Sequence, residues 1–284
     1  MTKKLGNTRV TGTEQYYTPT GLASELVAAA LDQIPNSRMR AYLEPAGGTG
    51  SFLDALLNHG VDNVIALDKY PKHPDVVLQD FLHWKAPRHD FVTISNPPFG
   101  RNNALSVPFF NHAAEFSEYI AFLVPRSWRK WSVQNRLDRR FHLVLDQDVK
   151  VQYEDELGQK LAKQNDLRTC FQIWEKRQPE RAQIKVPDNY LLSKSSPEDA
   201  DIAIRVFGYG CGKVLEDFPR LANTTLMFLR IQDNRVRGVI KGLDYERFSI
   251  NTAYTRALSF QEINFLLNEE LFGNGFHSNR LGTK

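Results

Sequence analysis

The chain has 284 residues, of which 42% are hydrophobic and 24% charged, and its net charge is +3 at neutral pH. This composition indicates a folded protein and excludes a disordered chain or a polycation, so any nucleic-acid contact must come from local patches. No apolar run is long enough to span a membrane, and the first residues lack the apolar core of a signal peptide. With two cysteines, Cys170 and Cys211, we expect no disulfide framework, no zinc site and a cytoplasmic location.

The first predicted elements are a helix over 21–31 and then a strand–turn–helix unit. Apolar residues follow one helical face in the first segment. The unit after it comprises a strand over 40–45, the glycine-rich turn 46–50 and a helix over 51–57, which is the nucleotide-binding corner of a doubly wound sheet. The turn lacks the third glycine of a dinucleotide site and the Gly-Lys-Ser/Thr of a P-loop. Glu44 before it would repel a phosphate and accept from an ammonium group; a turn that only packs is the alternative.

Polar side chains close each of the next apolar runs. Predicted strands over 64–68, 76–82 and 90–95 end at or near Asp68, Asp80 and Asn96, as the strand over 40–45 ends at Glu44. The carboxyl ends of parallel strands open onto one edge of a sheet, where ligands bind. The sequence therefore predicts a polar site at that edge.

The stretch Asn96-Pro97-Pro98-Phe99 stops the third of these strands, because consecutive prolines cannot continue a sheet ladder. The Asn96 side-chain oxygen and the Pro97 carbonyl can both accept from an NH2 group, and Phe99 can cover a ring face. This combination suits a planar nucleobase with an exocyclic amino group. An ordinary strand-end turn is the alternative.

Taken in order, these motifs resemble those of the S-adenosylmethionine-dependent N6-adenine methyltransferases. Glu-Pro-x-Gly-Gly-Thr-Gly resembles motif I, Asp68 and Asp80-Phe81 resemble motifs II and III, and Asn-Pro-Pro-Phe resembles motif IV. Gln15-Tyr16-Tyr17-Thr18-Pro19 resembles motif X placed ahead of motif I, which is the gamma-class order X–I–IV–VIII. The resemblance covers roughly residues 14–176, with Glu44 in place of the commoner Asp and Phe99 in place of the commoner Tyr.

The resemblance implies a site for S-adenosylmethionine beside a catalytic motif. Tyr17, Thr18 and Pro19 would line the methionine end, Asp68 would meet the ribose, and Asp80 with Phe81 would meet the adenine edge. The complete expected cofactor set is Tyr17, Thr18, Pro19, Glu44, Pro45, Ala46, Gly48, Gly50, Phe52, Asp68, Asp80, Phe81 and Asn96. The expected catalytic residues are Asn96, Pro97, Pro98 and Phe99, and no metal is implied.

A basic stretch follows the predicted fifth strand, 119–124. Residues 126–140 hold six Arg and Lys side chains and two tryptophans against one acid, Asp138. Such a stretch is typical of a phosphate-contacting patch with interleaved aromatics, and a solvated helix face is the alternative. The predicted nucleic-acid contacts are Arg126, Trp128, Arg129, Lys130 and, further along the chain, Lys213.

Two more strands, over 141–146 and 169–175, are predicted to be antiparallel at the sheet edge. Phe171 is the nearest match to the base-stacking aromatic of motif VIII, and a core phenylalanine is the plainer interpretation. The expected fold is thus a doubly wound, mostly parallel seven-stranded α/β sheet of the Rossmann-like class I methyltransferase type, with a small C-terminal α+β appendage. We place the catalytic domain at 1–176 and a linker with a small target-recognition region at 177–284.

The C-terminal region has predicted strands over 202–207, 225–231 and 236–240. A helix is predicted to begin after Ser259, because Ser followed three residues later by Glu262 is a capping box. The glycine-rich stretch 208–213 between two of these elements is read as a hairpin turn whose Lys213 contacts a phosphate.

The implied activity is methyl transfer to N6 of adenine in DNA, on a flipped-out base and with short or degenerate sequence specificity, as in restriction-modification enzymes. An RNA adenine methyltransferase, acting on rRNA or tRNA, is one alternative. A non-catalytic nucleic-acid binder on the same fold is another. Release-factor glutamine methyltransferases share the Asn-Pro-Pro-aromatic motif, but they usually carry a helical domain before motif I, and here only about 43 residues precede it.

Overall fold

The computed structural model describes residues 16–160 and 167–278. Gln15, Asn279 and Arg280 lie outside the described residues, so the start of the stretch that resembles motif X is not described. Within these ranges the chain forms two compact units: residues up to 125 together with 136–181, and residues 126–135 together with those from 182 onward. The predicted boundary after residue 176 differs from this grouping chiefly because 126–135 belongs with the second unit. No helix of the described part is long and apolar enough to cross a membrane.

The described part of the first unit, residues 16–125, 136–160 and 167–181, contains three α-helices and seven strands. The helices are α1 (Thr20–Gln33), α2 (Ser51–Asn58) and α3 (Ser106–Ala113). The strands are β1 (Tyr42–Glu44), β2 (Val64–Asp68), β3 (Val77–Leu78), β4 (Phe91–Ser95), β5 (Ser117–Pro125), β6 (Phe141–Val149) and β7 (Thr169–Lys176).

These strands form one sheet in the order β3-β2-β1-β4-β5-β7-β6. The first five run parallel, and β7 is antiparallel to both β5 and β6. The predicted seven-stranded, mostly parallel sheet is therefore confirmed, including its antiparallel last hairpin. Its central strands are apolar and buried on both faces, as expected where helices cover a parallel sheet: all five residues of β4 are buried.

The sheet order brings three predicted strand ends together. Strand β1 lies between β2 and β4, with Glu44 opposite Ala66 of β2 and Leu43 opposite Thr93 of β4. Glu44, Asp68 and Asn96 therefore close or follow neighbouring strands at one edge. Strand β3 is shorter than predicted, because only Val77 and Leu78 pair with β2.

The second unit holds a four-stranded antiparallel sheet in the order β10-β9-β11-β8. Its strands are β8 (Leu192–Lys194), β9 (Ile202–Arg205), β10 (Val214–Leu215) and β11 (Leu226–Ile231), and its helices are α4 (Trp131–Gln134), α5 (Arg235–Val239), α6 (Glu246–Ser249) and α7 (Phe260–Phe272). A buried apolar cluster that includes Ile204, Leu229, Val236 and Leu267 forms its core.

Two predictions in this unit had opposite outcomes. The capping box of α7 is present, with the Ser259 hydroxyl accepting from Glu262 N–H and the Glu262 carboxylate accepting from Ser259 N–H. The predicted strand over 236–240 is wrong, because residues 235–239 form α5. Its apolar residues 236, 239 and 240 also fit the spacing of one helical face, and Val236 and Ile240 are buried by it.

Candidate active site at the carboxyl ends of the parallel strands

Asn96 is held by the segment that precedes α1. Its side-chain Nδ2 donates to the Tyr16 carbonyl oxygen at 3.0 Å and to Thr18 Oγ1 at 3.1 Å. A carbonyl oxygen only accepts, so the atom facing Tyr16 must be the amide nitrogen, and the orientation of the Asn96 amide follows. The opposite atom, Oδ1, is buried and has no hydrogen-bond partner among the described residues.

A buried acceptor without a partner carries a desolvation cost of about 1–3 kcal/mol. In folded proteins such a group is explained by backbone or side-chain strain, by a catalytic role, or by a bound water or ion that supplies the missing donor. Asn96 Oδ1 is therefore available to accept an incoming N–H, and that role stays a prediction from the sequence. Pro97 beside it is buried, and Pro98 is half-buried.

Phe99 lies beneath a second aromatic ring that the sequence reasoning did not select. Its side chain is only 6% exposed, and its ring stacks on that of half-buried Tyr16, with centroids 6.4 Å apart and planes at 24°. Tyr16 also contacts Tyr153, with centroids 5.4 Å apart. The expectation that Phe99 presents its face to a base is corrected in this respect: Tyr16 is the outer ring of the stack.

Glu44 is almost fully buried at the end of β1. Its Oε1 accepts from Ala46 N–H at 3.0 Å and from the Ser95 hydroxyl at 2.5 Å, while Oε2 is buried with no partner in the described part of the chain. Burial raises the pKa of Glu44 to about 8, although the hydrogen bonds from Ser95 and Ala46 favour the ionised form. An unpartnered carboxylate oxygen in a buried position fits a cationic donor such as an ammonium group.

The glycine-rich turn is tied to the end of β2. Gly48 N–H donates to Asp68 Oδ2 at 2.8 Å, and Asp68 Oδ1 accepts from Tyr70 N–H at 2.7 Å. Gly48 has φ of +49°, and a Cβ there would lie 2.8 Å from the Tyr17 ring, so glycine allows Tyr17 to lie directly on the turn. The structure thus brings Tyr17, Glu44 and Asp68 together around the turn.

The other residues that the sequence predicts to bind a cofactor lie at the following positions. In the segment that holds Asn96, Thr18 is buried and Pro19 is half-buried. At the turn, the buried residues are Pro45, Gly48 and Gly50, and Ala46 is half-buried. Two side chains belong to the core instead. Phe52 is 4% exposed, and Phe81, at 2%, packs against Phe109, His112 and Phe116, so neither ring presents a face to a ligand.

Asp80 does not end a strand; it is the N-cap residue of the 3-10 helix Phe81–His83. Its Oδ1 accepts from Leu82 N–H, and its Oδ2 lies 3.3 Å from Lys69 Nζ and 3.2 Å from His83 Nδ1. Burial opposes ionisation of Asp80, but these bonds outweigh it and hold the pKa below its ordinary value. A contact with an adenine edge would therefore compete with existing partners.

The predicted basic patch is corrected at two of its members, both in the second unit. Trp128 is fully buried and cannot stack on a base. Lys130 Nζ donates to Glu262 at 2.7 Å and to the carbonyl oxygens of Phe248 and Ala257. The ammonium group of Lys130 is therefore bound within the second unit and is not available to a phosphate. Among the other members of the patch, Arg126 and Arg129 are half-buried in a 3-10 helix, and Lys213 is exposed. The predicted base-stacking residue Phe171 belongs to the first unit and is a fully buried core residue.

Sequence reasoning missed Ser95 and Tyr16. Ser95 is the polar end of a strand that is otherwise apolar apart from Thr93, and Tyr16 precedes a tyrosine that was selected. A polar residue at the last buried position of a strand is the signal that could have identified Ser95. Among residues 16–160 and 167–278, no group of three or more His, Cys, Asp and Glu side chains is arranged to hold a metal ion.

No protein-family profile matches the chain. A stretch of 96 residues is 29% identical to the type II methyltransferase M.HincII of Haemophilus influenzae, covering 32% of this chain and 18% of that protein. M.HindII of Haemophilus influenzae matches to the same extent. The match thus spans less than a fifth of the length of these curated relatives.

Solved structures resemble the chain only in part. A candidate RNA methyltransferase from Pyrococcus horikoshii is 22% identical with a TM-score of 0.45, covering 58% of this chain and 88% of its own. The modification subunit of a candidate type I restriction enzyme from Vibrio vulnificus is 14% identical with a TM-score of 0.43, covering 59% of this chain and 46% of its own. With both TM-scores below 0.5, this likeness by itself assigns no substrate to the chain.

Proposed function

We propose that this protein transfers the methyl group of S-adenosylmethionine to the exocyclic N6 of adenine in DNA. The observation that carries the proposal is the Asn96 side chain, whose NH2 group is fixed by Tyr16 and Thr18 while its buried oxygen has no described partner. The match to two Haemophilus type II methyltransferases supports the reaction class. The choice of DNA follows the gamma-class order of the motifs.

The cofactor site is proposed from the orphan oxygen of Glu44 and the turn beside it. Glu44 Oε2 would accept from the ammonium of the amino-acid moiety, Tyr17 and Pro19 would line that end, and the Asp68 carboxylate, which keeps spare lone pairs beyond its two backbone bonds, would accept from the ribose hydroxyls. When bound, S-adenosylmethionine supplies an electrophilic methyl group, whose bond to sulfur breaks as its bond to N6 forms.

Asn96 and Pro97 act on the amino group of the target base. The N6 lone pair is delocalised into the adenine ring, which makes N6 a poor nucleophile. Asn96 Oδ1 and the Pro97 carbonyl accept one amino hydrogen each and hold the nitrogen in the geometry that localises its lone pair, so positioning is the main catalytic contribution. An amide and a peptide carbonyl are too weakly basic to keep a proton, so the proton that N6 loses passes to water.

The base must leave a duplex to reach this edge of the sheet. The stack of Tyr16 on Phe99 offers an aromatic surface next to Asn96, with Tyr16 as its more exposed member. Stacking on Tyr16, supported from below by Phe99, would hold the flipped base while its amino group meets Asn96 Oδ1.

The test compares Asn96→Ala with Asn63→Ala, the same change at an exposed position of the same unit. Each variant is incubated with methyl-labelled S-adenosylmethionine and plasmid DNA, tRNA or rRNA, and the products are identified by nucleoside mass spectrometry. Wild type and Asn63→Ala should form N6-methyladenine in DNA. Asn96→Ala should lose activity by about 10²- to 10³-fold or more, as on removal of one preorganised hydrogen-bonding group, and should still bind the cofactor.

Full activity of Asn96→Ala would overturn the catalytic assignment. Product in tRNA or rRNA alone would replace DNA by RNA as the substrate. Cofactor binding without methyl transfer to any of the three polymers would favour a non-catalytic binder.

A further inference from the structure

A short loop joins β9 to β10 in the second unit and is named the 206–213 loop after its residues. At its base the strands pair through Arg205 N–H to the Lys213 carbonyl at 2.9 Å and Gly212 N–H to the Arg205 carbonyl at 2.7 Å. Inside it, Cys211 N–H donates to the Gly208 carbonyl and Lys213 N–H to the Gly210 carbonyl, forming two successive tight turns. The loop is therefore hydrogen-bonded within itself.

Neighbouring segments fix the loop from two sides. Gly208 N–H donates to the Arg256 carbonyl at 3.0 Å, and Leu258 N–H donates to the Val206 carbonyl at 2.9 Å. Gly212 has φ of +97°, and a Cβ there would lie 2.6 Å from the Cβ of Tyr245, so the backbone passes closely over that buried residue. The backbone at the loop tip thus has a defined position.

This fixed backbone places two aromatic side chains in solvent. Tyr209, between two glycines with positive φ, is 100% exposed, and Phe207 is 48% exposed. A single exposed apolar residue needs no explanation. A fully exposed tyrosine on a hydrogen-bonded loop, with a second exposed aromatic residue two positions before it, offers a ring suited to stacking.

The charged residues within the loop and at its base are basic, and the acids Glu216 and Asp217 follow after strand β10. Residues 203–215 contain Arg205 and Lys213 and no acidic residue, and Lys213 is exposed. The adjoining segment 252–258 contains one charged residue, Arg256, and its partner Glu246 lies 2.6 Å away. An exposed ring with a basic residue four positions before it and another four positions after it suits a base stacked beside its phosphate, because every base has a π-face and every phosphate a negative charge.

We infer that the 206–213 loop is a nucleic-acid contact of the second unit, in which Tyr209 stacks on a base and Lys213 pairs with a phosphate. The inference rests on the proposed function only in taking a nucleic acid as the substrate. Tyr209 replaces the buried Trp128 as the aromatic contact in this unit, and the Lys213 contact is the one expected from the sequence.

The test measures binding without turnover, so its result does not depend on methyl transfer. The probes are a fluorescein-labelled random-sequence duplex, its single strand and the matching RNA strand. Tyr209→Ala should weaken binding about 5- to 150-fold, the range corresponding to loss of one base stack. Tyr209→Trp should retain binding, and Leu221→Ala, a change at a 73% exposed apolar residue of the same unit, should leave it unchanged.

Lys213→Ala provides an independent readout. It should reduce the slope of log K against log salt concentration by about 0.9 on the duplex and about 0.7 on single strands. Tyr209→Ala should leave that slope unchanged, because stacking releases no counterion.

Wild-type affinity in Tyr209→Ala would overturn the inference and leave the proposed function standing, provided that this variant still methylates. No binding of any probe by wild type would also overturn it, and the proposed function would fail separately only if methyl transfer were absent too. The preferred probe among the three identifies the polymer that the loop contacts.

Discussion

Ser95 and Glu44 are 51 residues apart in sequence, and the Ser95 hydroxyl donates a 2.5 Å hydrogen bond to Glu44 Oε1. The bond connects the residue just before Asn96 to the carboxyl group proposed to hold the cofactor. It also leaves Glu44 Oε2 as the carboxylate oxygen without a described partner. The strand end that carries the proposed catalytic amide is thereby tied to the proposed cofactor site.

Ser95→Ala should move the pH dependence of cofactor binding to higher pH. The hydrogen bond favours the ionised carboxyl, so its loss raises the pKa of Glu44 further. A hydrogen bond to a charged group contributes about 1.5–3 kcal/mol, which corresponds to a displacement of about 1–2 pH units. Binding of S-adenosylmethionine measured by calorimetry across pH 6–9 checks this.

Thr93→Val is the matched control for Ser95→Ala. It removes another buried hydroxyl of β4, the one hydrogen-bonded to Ser117 at 2.7 Å and not to Glu44. Both variants should lose some stability, but only Ser95→Ala should change the pH dependence. An unchanged dependence in Ser95→Ala would mean that Ser95 is merely structural.

Cofactor binding should release a proton from Glu44 below pH 8. Burial raises the pKa of this carboxyl to about 8, so it is largely protonated at neutral pH, and an ammonium group beside it would favour the carboxylate. Calorimetric titrations at neutral pH in two buffers of different ionisation enthalpy count the released proton. Glu44→Gln should bind more weakly and release none; equal proton release by both proteins would contradict the role of Glu44.

The carboxyl group of Glu44 should also make the free energy of unfolding of the ligand-free protein decrease as pH rises from about 4.5 to about 8. Its folded-state pKa of about 8 lies above the ordinary value of 4.5, so its contribution is fully present below about pH 4.5 and is lost as pH rises through about 8. Urea denaturation of wild type and Glu44→Gln across that range measures the difference in free energy of unfolding between the two proteins. This difference should change with pH between about 4.5 and 8 and become constant above pH 8.

Lys130→Met should lower stability and leave the salt dependence of nucleic-acid binding unchanged. The side chains of Lys130 and Glu262 are only 16% and 3% exposed, and removing one partner of a buried pair typically costs about 3–5 kcal/mol. Urea denaturation gives the first quantity, and binding at several salt concentrations gives the second. Lys213→Ala is the opposite control, since it should change the salt slope and not the stability.

A reduced salt slope in Lys130→Met at unchanged stability would restore Lys130 to the phosphate contacts expected from the sequence. The double variant Lys130→Met, Glu262→Met gives a further check. It should recover part of the lost stability, because it leaves no buried charge without a partner.

The sequence by itself determined the features that depend on neighbours along the chain. The periodicity of apolar residues and the breaks at glycine and proline placed Glu44, Asp68 and Asn96 at or next to strand ends. The parallel arrangement that aligns those ends, and the α7 capping box, were also predicted correctly. These features are local because a strand stops where its backbone can no longer pair and a helix begins where its first N–H groups find an acceptor.

Only the tertiary structure decided which polar groups are already occupied and which remain available. The sequence predicts Lys130 as a phosphate contact, but the structure pairs it with Glu262, 132 residues later. Phe99 reads as an open stacking face until Tyr16 is found to lie over it, and Asn96 Oδ1 is available because Tyr16 and Thr18 take the other end of the amide. Such pairings join distant segments, so residue type and spacing along the chain do not specify them.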